Sequence, residues 1–188
     1  MRILVPFVIL LPLAACSRSE AAPAAAAAAA VNPELFEPIG SVVMHPRCIN
    51  CHQDESPRQT DLKIVHRPLV VRGKDGQGAP TQRCQTCHQA TNTADGFVPG
   101  VATWGLAPLS MLWEGRTKAH ICEQMKDPER NGGRSTGEEV IEHMKVDPLV
   151  LWAWSPGAGR TTPPLTHEQF VDALEAWVRA DMPCPKGD

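Results

Sequence analysis

Seven cysteines and seven histidines make up the chain's most reactive side chains, and four of the cysteines fall in two near-copies of one phrase. RCINCHQ, residues 47–53, carries Cys48, Cys51 and His52; RCQTCHQ, residues 83–89, carries Cys84, Cys87 and His88. Two thiols three residues apart can form a redox-active dithiol, half of a zinc site or a covalent anchor for haem. A thioredoxin-like dithiol opens a helix in a βαβ unit, and neither pair is flanked by an alternating strand pattern. Two C-x-x-C knuckles could close a tetrahedral zinc site. Zinc, however, gives no reason for a histidine directly after each second cysteine. Haem does: the thiols add across the two porphyrin vinyl groups, and the adjacent imidazole is presented to the iron.

Compartment decides which thiol chemistry is available. MRILVPFVILLPLAA has one early positive charge at Arg2 and an apolar run too short to span a bilayer, so residues 1–15 read as an export signal. The signal runs through Leu13-Ala14-Ala15 into Cys16 and resembles the bacterial lipobox. That resemblance implies acylation of Cys16 and a mature chain that starts there. Residues 16–34, rich in alanine with a proline, have nothing to build a core and read as a tether. Ser17 stands where an aspartate would signal inner-membrane retention, so the resemblance favours the periplasmic leaflet of the outer membrane. In an oxidising compartment the two single cysteines, Cys122 and Cys184, are expected to pair with each other.

The twin C-x-x-C-H motifs identify the chain as resembling the c-type cytochromes. HPRCINCHQ, RGKDGQGAPTQRCQTCHQATN, LAPLSMLWEG, ICEQMKDPERNGGR and LWAWSPGAGR resemble small diheme cytochromes described as partners of molybdenum hydroxylases of the isoquinoline 1-oxidoreductase type. The resemblance spans most of the chain after the tether. It implies two haem c groups, with Cys48, Cys51, Cys84 and Cys87 as thioether anchors and His52 and His88 as proximal iron ligands. It also implies redox proteins as partners, among them a molybdenum hydroxylase or another dehydrogenase.

Each iron then has a sixth position. His66, in DLKIVHRPLV between the motifs, is far enough from both anchors to cross to the opposite face of a porphyrin and is the first candidate. His143 shares one helix side with Val140 and Met144 and is the second. Met111 is a weaker candidate, since a methionine beside Leu112 and Trp113 is more often core; as a ligand it would raise the potential. Met44 and His45 lie too near Cys48 to reach over the haem edge. His120 is intermediate, and His167, just after a helix cap, is expected to face solvent.

The elements that must position these groups are helices and loops. Thr117–Asp127 reads as a helix, NGG at 131–133 as a turn, and Ser135–Val146 as a helix with Ser135 and Glu138 at capping-box spacing. A last helix is capped by Thr166 with Gln169, carries Phe170, Leu174, Trp177 and Val178 as its apolar stripe, and ends before Pro183. LVLWAWSPGAGRTTPP reads as irregular, with Trp152 and Trp154 placed to line a haem edge. The expectation is one domain over residues 35–188, mainly α with long irregular loops, a diheme c-type cytochrome domain. With 18 prolines, 14 glycines, four phenylalanines and no tyrosine, few large side chains fill a core, which leaves volume for a bulky apolar cofactor. The balance of 18 basic against 21 acidic side chains, without a basic block, excludes a nucleic-acid partner. Electron transfer is the expected function. The alternatives are a small peroxidase-like diheme enzyme with one open iron position, whose relatives have longer chains, and a zinc-binding lipoprotein.

Overall fold

The computed structural model describes residues 32–61 and 63–187; the signal segment, Cys16 and the tether before residue 32 lie outside them. Among the described residues there are six short α-helices, two minimal strand pairs and long stretches of irregular chain. None of the helices is long and apolar enough to cross a membrane.

The helical half begins with α1, Phe36–Val43, which follows a 3-10 turn, Pro33–Leu35, capped by Asn32. Phe36, Ile39, Val42 and Val43 recur at three- and four-residue spacing and are all buried. Pro38 is tolerated because it lies in the first turn, where its missing N–H has no intrahelical partner. The short helix α2, Pro46–Ile49, carries the first cysteine motif. Helix α3, Lys118–Lys126, is capped by the Thr117 hydroxyl. Helix α4 is Gly137–Val146, α5 Pro148–Trp152, and α6 His167–Arg179.

Helices α1, α3, α4 and α6 enclose the core. Phe36, Ile39, Ile121, Leu174 and Trp177 are fully buried there, and the Phe36 and Trp177 rings meet at 5.4 Å. The Trp177 indole N–H donates to the Pro183 carbonyl at 2.9 Å, which draws the C-terminal segment onto the core. Cys122 and Cys184 are bridged, with Cα atoms 5.7 Å apart, and so tie α3 to that segment. Gly137 lets α4 lie against α6, because a Cβ there would strike the Val178 methyl groups.

Three readings of the sequence need correction. The box at the start of α4 is one residue later than expected: Thr136 accepts from Glu139 N at 3.2 Å and Glu139 returns the bond, because Ser135 precedes the turn. Residues 148–152 are helical and not irregular, since Pro148 occupies a first-turn position under an Asp147 cap. The same proline thus ends α4 and begins α5. His167 is half-buried rather than turned to solvent; its Nε2 donates to the Met144 carbonyl at 2.8 Å and its ring meets Trp154.

The other half, residues 50–114, has little ladder hydrogen bonding. Strands β1, Arg58–Gln59, and β2, Ile64–Val65, form one antiparallel pair; β3, Gly78–Ala79, and β4, Gln82–Arg83, form another. Arg72 supplies order where ladders do not. Its guanidinium donates to the carbonyls of Gln53, Asp54 and Ala107, clamping three loop segments together.

Replacing Cys122 and Cys184 together by alanine should cost about 2–5 kcal/mol of stability, because the bridge restricts the unfolded chain. Guanidinium unfolding measures this, and an unchanged midpoint would remove the bridge from the account of the fold.

Candidate functional site

The two cysteine motifs fold alike although they stand on different elements. In the first, His45 caps α2 and Pro46 opens it, and His52 N donates to the Cys48 carbonyl at 3.2 Å. In the second, the β3–β4 hairpin delivers the chain to a 3-10 turn at Cys84–Thr86, and His88 N donates to the Cys84 carbonyl at 2.9 Å. One helical turn therefore separates the first thiol from the imidazole in both motifs. That spacing puts them on one face.

Each motif histidine is held in the same manner. His52 Nδ1 lies 2.8 Å from the Met111 carbonyl, and its ring stacks on Trp113 at 3.5 Å and 9°. His88 Nδ1 lies 2.7 Å from the Pro99 carbonyl, and its ring stacks on Trp104 at 4.5 Å and 9°. A carbonyl can only accept, so Nδ1 carries the proton in both rings and Nε2 keeps its lone pair. His66 has the same arrangement, with Nδ1 2.9 Å from the Pro68 carbonyl. His143 Nδ1 lies 3.5 Å from Asp147 Oδ2, and Asp147 is itself fixed through Oδ1 by the backbone N–H groups of Leu149 and Val150. A carbonyl or carboxylate behind Nδ1 is the usual support of a metal-binding imidazole.

These four histidines line two clefts in pairs. The first cleft has Cys48, Cys51, His52 and His143 on its wall and encloses about 1110 Å³ of atom-free space, its mouth included. The second has Cys84, Cys87, His88 and His66 and encloses about 1170 Å³. His66 is carried to the second cleft by the β1–β2 hairpin, and its ring centre lies 5.9 Å from that of His88. With metal–imidazole bonds of roughly 2 Å on each side, two rings on one metal stand about 6 Å apart centre to centre. The clefts share a wall formed by Arg47, Cys51, Gly105, Leu106 and Trp152.

The remaining candidates are placed differently. Met111 also lines the first cleft; its carbonyl stands behind His52 and its side chain packs in the core cluster with Trp113 and Met125. His45 spends both ring nitrogens, on Arg47 N and on the Thr161 hydroxyl. His120 stands in the first turn of α3 and lines neither cleft. Trp152 and Trp154 both line the first cleft. Sequence reasoning missed the stacking partners Trp104 and Trp113; two tryptophans in a segment without regular structure were the available signal.

Burial pushes Cys48 up to about 12 and Cys51 up to about 11, and burial also raises Cys84. A reactive dithiol needs a depressed thiol, and a zinc site needs thiolates that converge. Among the described residues no three His, Cys, Asp or Glu side chains are grouped to hold a metal ion. Paired thiols beside a wide cleft, each pair with an imidazole one turn away, fit a porphyrin joined through sulfur.

Comparison of the chain with protein-family models, with curated proteins and with solved structures finds no match in any of the three.

Burial holds His52 down to about 4 from an ordinary 6.5, against the opposing pull of the Met111 carbonyl. Unfolded histidine binds more protons than the folded one between these values. The stability it contributes is therefore complete above about pH 6.5 and lost as the pH falls through about 4, on the order of 3 kcal/mol in all. Guanidinium midpoints measured from pH 7 to pH 4 should fall across that window. His52→Asn should flatten the profile, and a flat profile in the unaltered protein would contradict a buried neutral His52.

Proposed function

We propose that the chain is a diheme c-type cytochrome that carries electrons between redox proteins. One haem is joined to Cys48 and Cys51 with His52 and His143 as iron ligands; the other is joined to Cys84 and Cys87 with His88 and His66. The observation that carries this reading is the pairing of four imidazoles in two clefts, three of them bonded at Nδ1 to a backbone carbonyl and the fourth, His143, beside Asp147, with one of each pair a single turn from two thiols. The bound group supplies a metal that takes up and releases one electron at a time.

The chain's own residues then do three things. The Met111, Pro99 and Pro68 carbonyls hold the His52, His88 and His66 rings in one tautomer, which fixes their direction and strengthens them as donors, and the Asp147 carboxylate stands beside His143. Trp113 and Trp104 stack behind the motif histidines and keep water from their faces. Phe97, 76 % exposed, stands at the second cleft and offers an apolar surface for brief docking by a partner. Two protein ligands for each centre favour electron transfer over peroxide cleavage, which needs an open iron position. The resemblance of the sequence adds a molybdenum hydroxylase or another dehydrogenase as donor, and acylation of Cys16 adds attachment to the periplasmic face of a bacterial membrane, the outer membrane favoured.

Matured in a cell that attaches haem c, the chain should gain the mass of two haems and show low-spin ferric spectra. His66→Ala and His143→Ala should each convert one centre to high spin with both haems still attached. A spectrum unchanged by either substitution removes that histidine from the ligand set, and a high-spin unaltered protein that turns over peroxide would replace the carrier with an enzyme. Cys16→Ala should release the protein from membranes or block its processing; membrane retention without that cysteine would exclude the lipid anchor.

A further inference from the structure

The wall between the clefts contains a charge. The Arg47 side chain is only 2 % exposed, and it lines both clefts beside Cys51 and Trp152. Its guanidinium lies over the Trp152 ring, with Cζ 5.8 Å from the ring centre. One carboxylate pairs with it: Asp61 Oδ1, 2.6 Å from Nη2. Its Nε is buried and meets no protein acceptor. Burial lowers the Arg47 guanidinium from its ordinary value, but at neutral pH it keeps its proton and is a cation.

The ion pair is lopsided. Asp61 stands in the turn after β1, is 32 % exposed, and also accepts from Thr161 N at 3.0 Å. Water screens the carboxylate, whereas the guanidinium sits in low-dielectric surroundings between the clefts. The field that reaches both clefts from the pair is therefore positive. The other fixed charges differ between the sites: Arg134 and Asp147 line the first cleft, and Arg58, Arg67, Arg83 and Arg160 line the second. Arg47 is the charged side chain common to both.

Taking the diheme reading as its basis, we infer that Arg47 is a buried cation shared by the two clefts that raises the electron affinity of both centres together. Each centre gains one electron from a reductant and returns it to an oxidant; no bond is made or broken and no proton moves. A positive charge beside both centres favours the state that holds the added electron. Removing it penalises reduction at both, and removing its counter-ion does the reverse. A purely structural role, holding the β1–β2 hairpin against α2, predicts no such reversal of sign.

The test is a potentiometric titration of the full haem-loaded protein, with dithionite as reductant and ferricyanide as oxidant. Arg47→Gln should weaken reduction at both centres at least tenfold in the equilibrium constant, a fall of 59 mV for one electron. Asp61→Asn should shift both upward, and Arg47→Lys should stay near the unaltered protein. Shifts of the same sign in Arg47→Gln and Asp61→Asn, a shift at one centre alone, or no shift would overturn the inference. Should Arg47→Gln fail to fold, the sign of Asp61→Asn decides, upward at both centres in support and anything else against. A chain whose mass shows no attached haem overturns the diheme reading and this inference with it. One that carries both haems but is indifferent to these substitutions overturns this inference alone.

Discussion

A backbone carbonyl has no proton to give, and that simple constraint sets the chemistry of this protein. Wherever one approaches an imidazole at Nδ1, the ring must hold its proton there and leave the opposite nitrogen bare. Met111, Pro99 and Pro68 supply such carbonyls to His52, His88 and His66. Much of the irregular half serves to bring those three atoms into place. The segment that carries Met111 is bonded to the first motif through Ala107 N to Cys51 O and Trp113 N to His52 O, and Arg72 clamps it from behind. Pro99 is reached because Gly100 has no Cβ; any side chain there would collide with the Gln89 and Thr91 carbonyls. Pro68 comes at the end of the β1–β2 hairpin.

A domain with so few ladder hydrogen bonds must satisfy its loop carbonyls by other means. Arginine does much of this. Arg72 takes three carbonyls, and Arg160 takes those of Gly96, Phe97, Pro156 and Ala158. A planar fork with five donors suits a site where several carbonyls converge from different segments. The helical half is the foundation beneath these loops. Its core of Phe36, Ile39, Ile121, Leu174 and Trp177 is bridged by Cys122 and Cys184, and α4 presents His143 from that firm side to the first cleft.

The clefts and their shared wall connect packing to the proposed activity. A single layer that includes Arg47, Cys51 and Trp152 separates them, and Trp152 meets Trp104 edge-on at 4.8 Å, which in turn stacks on His88. Aromatic rings therefore run from the second motif to the wall of the first cleft. Arg47, Gly105 and Trp152 are buried in this wall. The Arg47 charge placed in it stands beside both clefts.

Local chemistry fixed what the sequence alone could determine. The C-x-x-C-H spacing is a property of one turn of chain, so the thiols and motif histidines were legible, as was the cap of α6 by Thr166 and Gln169. His66 is marked by its distance along the chain from both anchors and His143 by the helix side it shares with Val140 and Met144; neither mark shows which ring nitrogen is bare. The Pro68 carbonyl beside His66 Nδ1, and the hairpin and helix that bring each ring to a cleft, appear only in the folded chain. Trp104 and Trp113 were invisible as stacking partners because their neighbours are distant in sequence. The capping box slipped by one residue and α5 was overlooked because Ser135 and Thr136 are equally good caps and Pro148 can end one helix or begin the next. Pairings across a turn follow from the order of residues, whereas a shared wall between two clefts exists only once the chain has closed on itself.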